Sequence, residues 1–178
     1  TDKMVLEAGV PIPMDELIHP KIEPEIVFVM KERLAGPGVT AATAMAAVGS
    51  VHAGFEVIDS RFTDFKFTLP DVVADNASSS RLFIGASGTD PAGLDLALEA
   101  VVLSVNGTVV ATATGAAVQG HPGEALALAA NALAERGEAI EAGAVVLTGG
   151  LTDAVFVRPS EQITAEFTNL GTLTVTGA

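Results

Sequence analysis

A chain of 178 residues with 49% hydrophobic content and a mean hydropathy of +0.47 can bury one sizeable core, which excludes disorder and points to a single domain. Asp and Glu number 22 against 9 Lys and Arg, and the formal charge of −13 argues against nucleic acid or an anionic membrane surface as partner. Zero Cys excludes disulfides, thiolate metal sites and a Cys nucleophile; with no leader and no uncharged apolar run of about 18 residues, the expected setting is the cytoplasm, away from membranes.

Residues 1–20 mix charges with Gly9, Pro11, Pro13 and Pro20 and read as the tail of an N-terminal helical region followed by an irregular connection. The chain starts at Thr1 rather than Met, so a longer parent protein is expected. Residues 21–178 are expected to form one domain. Ile22 to Met30 is a strand whose Pro24 suggests an edge or an entry position. Gly36-Pro37-Gly38 is a turn, residues 40–49 are helix-permissive, and Phe55 to Ser60 is a second strand. Thr63 to Leu69 alternates around Phe65 and Phe67, and Asp75 to Ser80 is a polar loop. Asn106-Gly107 between two β-rich runs predicts a hairpin over 101–112 with a type I′ turn. Pro122 to Arg136 is a helix with Pro in its first turn, Gly137 after its end and a buried stripe of Leu126, Ala129, Ala130 and Leu133. Val145 to Leu147 is a short strand, and residues 161–176 form a second hairpin around Asn169-Leu-Gly171. Strands dominate, without repeat or βαβ periodicity, so the expected class is mixed α/β, a β-sandwich or closed roll with peripheral helices.

Three acidic residues carry the chemistry. Glu23 and Glu25 are two apart in a strand, so both project to one face roughly 6.6–7 Å apart along the chain. Glu56 lies in the second strand. Carboxylates without Cys or clustered His suit Mg²⁺ or Mn²⁺ rather than Zn²⁺ or copper. Taken alone, the Glu-Pro-Glu pair reads first as an acidic strand face in water.

Five segments together resemble the fumarylacetoacetate hydrolase superfamily: His19-Pro-Lys-Ile-Glu-Pro-Glu-Ile26, Phe55-Glu-Val-Ile-Asp-Ser-Arg61, Asp71-Val-Val-Ala-Asp-Asn-Ala-Ser-Ser79, Gly120-His-Pro122 and Leu147-Thr-Gly-Gly150. The likeness is to the branch holding 2-keto-4-pentenoate hydratases and 4-oxalocrotonate decarboxylases. Arg61 to Phe67 and Thr148 to Val155 look more like the decarboxylases. The resemblance implies a mixed β-roll in which Glu23, Glu25 and Glu56 bind Mg²⁺, the 2-keto and C1 carboxylate oxygens of a substrate completing the shell. It implies decarboxylation of 2-oxohex-3-enedioate, with hydration of 2-hydroxypenta-2,4-dienoate as the nearest rival and a non-catalytic β-roll subunit as a third reading. It also implies homo-oligomers, with a complex between decarboxylase and paralogous hydratase as a further expectation. Relatives carry an active-site Lys upstream of a segment like Thr1-Asp-Lys-Met4, and Lys3 is not its match. The connection from Met4 to His19 looks shorter than in the family, where a longer loop helps cover the site.

Candidates for lining the pocket are Lys66 as a counter-charge, Asp75, Asn76 and Ser78 as hydrogen-bond partners, and Gly149, Gly150 and Thr152 as a place where backbone approaches the substrate. Each has a plainer reading: a surface Lys, a self-capped loop, an ordinary turn. Asp59 and Arg61 are expected either to pair with each other or to orient Glu56. His19, His52 and His121 share no ligand spacing and read as structural.

Overall fold

A computed structural model describes residues 2–7 and 9–178. Two sheets carry the architecture. The larger is built from β1 (Val5–Leu6), β2 (Lys21–Met30), β3 (Val48–Ile58), β4 (Ser79–Ile84), β7 (Val145–Gly150) and β8 (Val155–Phe156). Its order is β1-β4-β3-β2-β7, with β8 also pairing β2. The smaller, ordered β10-β9-β5-β6, uses β5 (Ala100–Val105), β6 (Thr108–Thr114), β9 (Gln162–Phe167) and β10 (Gly171–Thr176). Phe28, Phe55, Ile26, Leu103, Leu126 and Ile163 from both sheets and a helix meet in one buried core. The class is the strand-dominated mixed α/β fold that the sequence predicts.

Both hairpins form. Asn106 and Gly107 take φ of 50° and 78°, as a type I′ turn needs, and Gly171 pairs with Phe167 across the second turn. The helices are α1 (Ala41–Ala46), α2 (Leu69–Ala74) and α3 (Pro122–Ala134). His121 caps α3, its Nδ1 accepting the Gly123 N–H at 2.9 Å, and Leu126 and Ala130 are fully buried.

Residues 2–4 form one 3₁₀ turn, and β1 pairs in parallel with β4. Two expectations need correcting. β2 is central, not an edge. Pro24 is tolerated because its carbonyl accepts the Leu151 N–H at 2.9 Å, and the N–H and C=O of a paired residue point to the same side. The missing donor therefore faces the interruption between β7 and β8. Finally, the alternation from Thr63 to Leu69 is no strand: Thr63–Phe65 is a tight turn with Asp64 and Phe65 at φ of 56° and 55°, and α2 follows.

Candidate metal centre

β2 and β3 run antiparallel with Glu23 directly opposite Glu56 and Glu25 opposite Gly54. Period-two alternation then brings all three carboxylates to one face, and one oxygen from each lies within 4.8 Å of the others. Like charges facing each other across a ladder destabilise it. The sheet nevertheless buries Glu25 to 1% exposure and half-buries Glu23 and Glu56.

Two glycines at the end of β7 make this possible. Gly149, at φ 115°, turns its N–H onto Glu25 Oε2 at 2.7 Å. Gly150 sits opposite Glu25 in the ladder, and a Cβ there would overlap the Glu23 carboxylate, so only glycine leaves that acid its place. Thr148 anchors the segment by donating to the Ile26 carbonyl at 2.8 Å. Gly149 and Gly150 were expected, with Thr152, to bring backbone to a substrate; the structure sets the two glycines against the carboxylates.

Electrostatics follow from the crowding. Desolvation, then the charges of Glu56 and Asp153, push the Glu23 carboxyl up to about 7 against a partial offset from Lys21. Desolvation pushes Glu25 up to about 8; the Gly149 hydrogen bond opposes this while Glu56 and Glu23 reinforce it. Protons are one way to hold such a cluster together. A hard divalent cation is the other, and an all-oxygen donor set without Cys or His is chemically suited to Mg²⁺ or Mn²⁺.

Space opens beside the two glycines, with none of the three acids in its lining. A cavity of about 360 Å³ is lined by Thr148, Gly149, Gly150 and the α3 residues Ala125 and Leu128, and another of about 510 Å³ by Gly150, Thr152, Asp153 and β6. Thr152 itself donates to the Asp153 carbonyl at 3.1 Å.

The remaining candidates have partners of their own. Asp75 is buried and takes hydrogen bonds from the Arg61 guanidinium and N–H, Ser60 and Ser78. Burial alone would raise its pKa, but the Arg61 and Ser60 hydrogen bonds and the Arg61 charge hold the carboxyl below its ordinary value. Asp75 and Ser78 thus tie the loop to the end of β3, and exposed Asn76 donates to the Ser79 carbonyl at 3.2 Å. Lys66 is 81% exposed and pairs with Asp64 at 3.4 Å. Arg61 pairs with the Asp75 carboxylate and donates to the Asp59 carbonyl at 3.2 Å, while the Asp59 carboxylate accepts the Ile18 and His19 N–H groups at 2.8–3.1 Å. Sequence reasoning passed over Lys21. Its position two residues before Glu23, hence on the same face, was the available signal.

Fold and site together define a strand-dominated α/β protein with an all-carboxylate cluster at the centre of its main sheet. The chain belongs to the fumarylacetoacetate (FAA) hydrolase C-terminal family, whose pattern matches residues 3–176. It is 49% identical over 166 residues to a 4-oxalocrotonate decarboxylase of Pseudomonas sp. (strain CF600), covering 93% of this chain and 62% of that one. It is also 41% identical over 177 residues to a 2-hydroxyhexa-2,4-dienoate hydratase of Comamonas testosteroni, covering 98% and 67%. Among solved structures it superposes on the 4-oxalocrotonate decarboxylase from Pseudomonas putida G7 complexed with magnesium and adipate, with a TM-score of 0.96 and 44% identity over 99% of this chain and 67% of that one. The chain thus spans about three fifths to two thirds of the length of these relatives.

Proposed function

We propose that this chain carries the metal-binding part of a decarboxylase that converts 2-oxohex-3-enedioate to 2-hydroxypenta-2,4-dienoate and CO₂ during aromatic-compound breakdown. The observation that carries the reading is the convergence of Glu23, Glu25 and Glu56 within 4.8 Å on a half-buried face. Support comes from relatives at 44–49% identity that bear the decarboxylase name, and from a neighbour whose complex holds magnesium and a six-carbon dicarboxylate.

Glu23, Glu25 and Glu56 would hold Mg²⁺ or Mn²⁺. When bound, the cation supplies positive charge beside the substrate's 2-oxygen, which is worth several kcal/mol as negative charge develops there. In the reaction the bond to the leaving carboxylate breaks, its electron pair passes through the conjugated chain to the 2-oxygen, and a proton on that oxygen completes the dienol. The chain's part is placement. Gly149 fixes one Glu25 oxygen, Gly150 leaves room for Glu23, and the flanking ladders of β2 and β3 keep the acids in register. Glycine backbone and small alanines line a cavity on the other side of that glycine pair.

The second reading, hydration of 2-hydroxypenta-2,4-dienoate, is favoured by the hydratase relative that matches 98% of this chain. Substrate separates the two. Full-length protein supplied with Mg²⁺ should release CO₂ from 2-oxohex-3-enedioate and lose that activity with EDTA; turnover of 2-hydroxypenta-2,4-dienoate alone would award the site to the hydratase. Homo-oligomers, and assembly with a paralogous hydratase in the cytoplasm, complete the proposal; light scattering on the purified protein and on the mixed pair tests them.

A further inference from the structure

Among the described residues, Lys21 is the cation that partly offsets the crowded charge at Glu23. It leaves β2 on the same face as Glu23 and Glu25, one strand repeat away. Among the described residues it forms no ion pair and no hydrogen bond; its ammonium rests instead 4.4 Å from the Phe65 ring centre and 4.8 Å from that of Phe156. Two aromatic faces hold a cation in place without neutralising it. Phe156 is its ladder partner on β8.

Phe65 reaches this position at a cost. It and Asp64 both adopt left-handed backbone, at φ of 55° and 56°, which strains residues that carry a Cβ. The same ring stacks on His19 at 4.8 Å, and His19 Nε2 is the one buried side-chain polar atom without a partner among the described residues. A strained turn, an orphaned ring nitrogen and an unpaired ammonium therefore meet at one end of the carboxylate face.

We propose that Lys21, clamped by Phe65 and Phe156, is the specificity-determining residue that receives the second carboxylate of a dicarboxylate substrate whose 2-oxo-acid end lies at Glu23, Glu25 and Glu56. The inference rests on the proposed function and deepens it. Side chains at positions 21 and 23 leave the strand roughly 6.6–7 Å apart, the scale of an extended six-carbon diacid. Lys66, the counter-charge expected from the sequence, points to solvent and Asp64. The chemistry sets a limit on what Lys21 can do. It pairs with a carboxylate that departs as neutral CO₂, so its contribution belongs to the bound substrate and fades as the bond breaks.

The test is titration calorimetry of full-length protein in Mg²⁺ with adipate and with hexanoate, which has the same chain and one carboxylate fewer. Lys21→Met keeps the stem between the rings and removes the charge; Lys21→Arg keeps the charge. The unsubstituted protein should prefer adipate by about 10- to 100-fold, the range of a hydrogen bond to a charged group. Lys21→Met should abolish that preference with hexanoate affinity unchanged, and Lys21→Arg should retain it. With 2-oxohex-3-enedioate, Lys21→Met should raise KM by a similar factor with little loss of kcat. Equal weakening of both acids, a preference that survives Lys21→Met, or no preference to begin with would each overturn the assignment. A preference that vanishes in Lys21→Met, in a protein releasing no CO₂, would keep Lys21 and discard the decarboxylase.

Discussion

Glu25 is the acid the fold has committed most to. It is buried, it faces glycine on both neighbouring strands, and it takes a backbone hydrogen bond from Gly149. Glu25→Gln retains shape and burial and removes the charge, so it should weaken Mg²⁺ binding by more than about 100-fold, beyond what losing an outer-shell partner usually costs. Calorimetry measures this, and an unchanged circular dichroism spectrum would confirm that folding is intact. Gly150→Ala should act through Glu23: the added methyl meets the flexible end of that side chain, so the fold should persist while Mg²⁺ affinity falls about tenfold. Protons compete for the same oxygens. Glu23 and Glu25 both bind protons more tightly folded than unfolded, so the stability they contribute is greatest at low pH. It declines as pH rises from about 4.5, where the unfolded carboxyls ionise, to about 8, where Glu25 does. Asp71 and Asp75 are shifted downward and act below that window. Metal-free protein should therefore melt at progressively lower temperature across this range, and Glu25→Gln should flatten the trend. At this scale the sequence showed the trio, because residues two apart on a strand must share a face. It could not show Gly149 or Gly150 serving the acids, since that depends on the register of β7 against β2, fixed by contacts more than a hundred residues apart.

Elements were legible wherever local chemistry decided them. Asn106-Gly107 selects its turn unaided, and Pro122 with Gly137 brackets α3. Pro24 misled because an internal proline usually marks an edge, and only the break between β7 and β8 makes a central position tolerable. The segment around Phe65 misled because its alternation matches a strand while two left-handed residues bend it back over Lys21. One joint between elements is testable. Asn131 on α3 bridges the backbone of Val39, its Oδ1 accepting the N–H and its Nδ2 donating to the carbonyl, both at 2.9 Å. Asn131→Ala should leave both groups without their partner and cost about 2–4 kcal/mol, read as a lower urea midpoint with Mg²⁺ affinity preserved.

On the scale of the whole molecule, composition and strand count gave the class, and the quoted motifs gave the family; the packing of one sheet on the other needed coordinates. A cation gripped only by the folded chain must stabilise it. At a hundred times its dissociation constant the gain is about 2.7 kcal/mol, or roughly 5–10 °C in Tm for a domain of this size. Scanning calorimetry with Mg²⁺ and with EDTA measures the difference, and Glu25→Gln should show none.

β2 and β3 sit mid-sheet with ladders on both flanks, whereas the turn bearing Phe65 and the stretch from Leu151 to Ala154 lie outside any ladder. Lys21 spans the two: its backbone is held in the ladders of β2, while Phe65 in the free turn sets where its ammonium rests. Random libraries confined to residues 61–68 should accordingly shift the preference among acids by moving that ammonium, with magnesium affinity conserved.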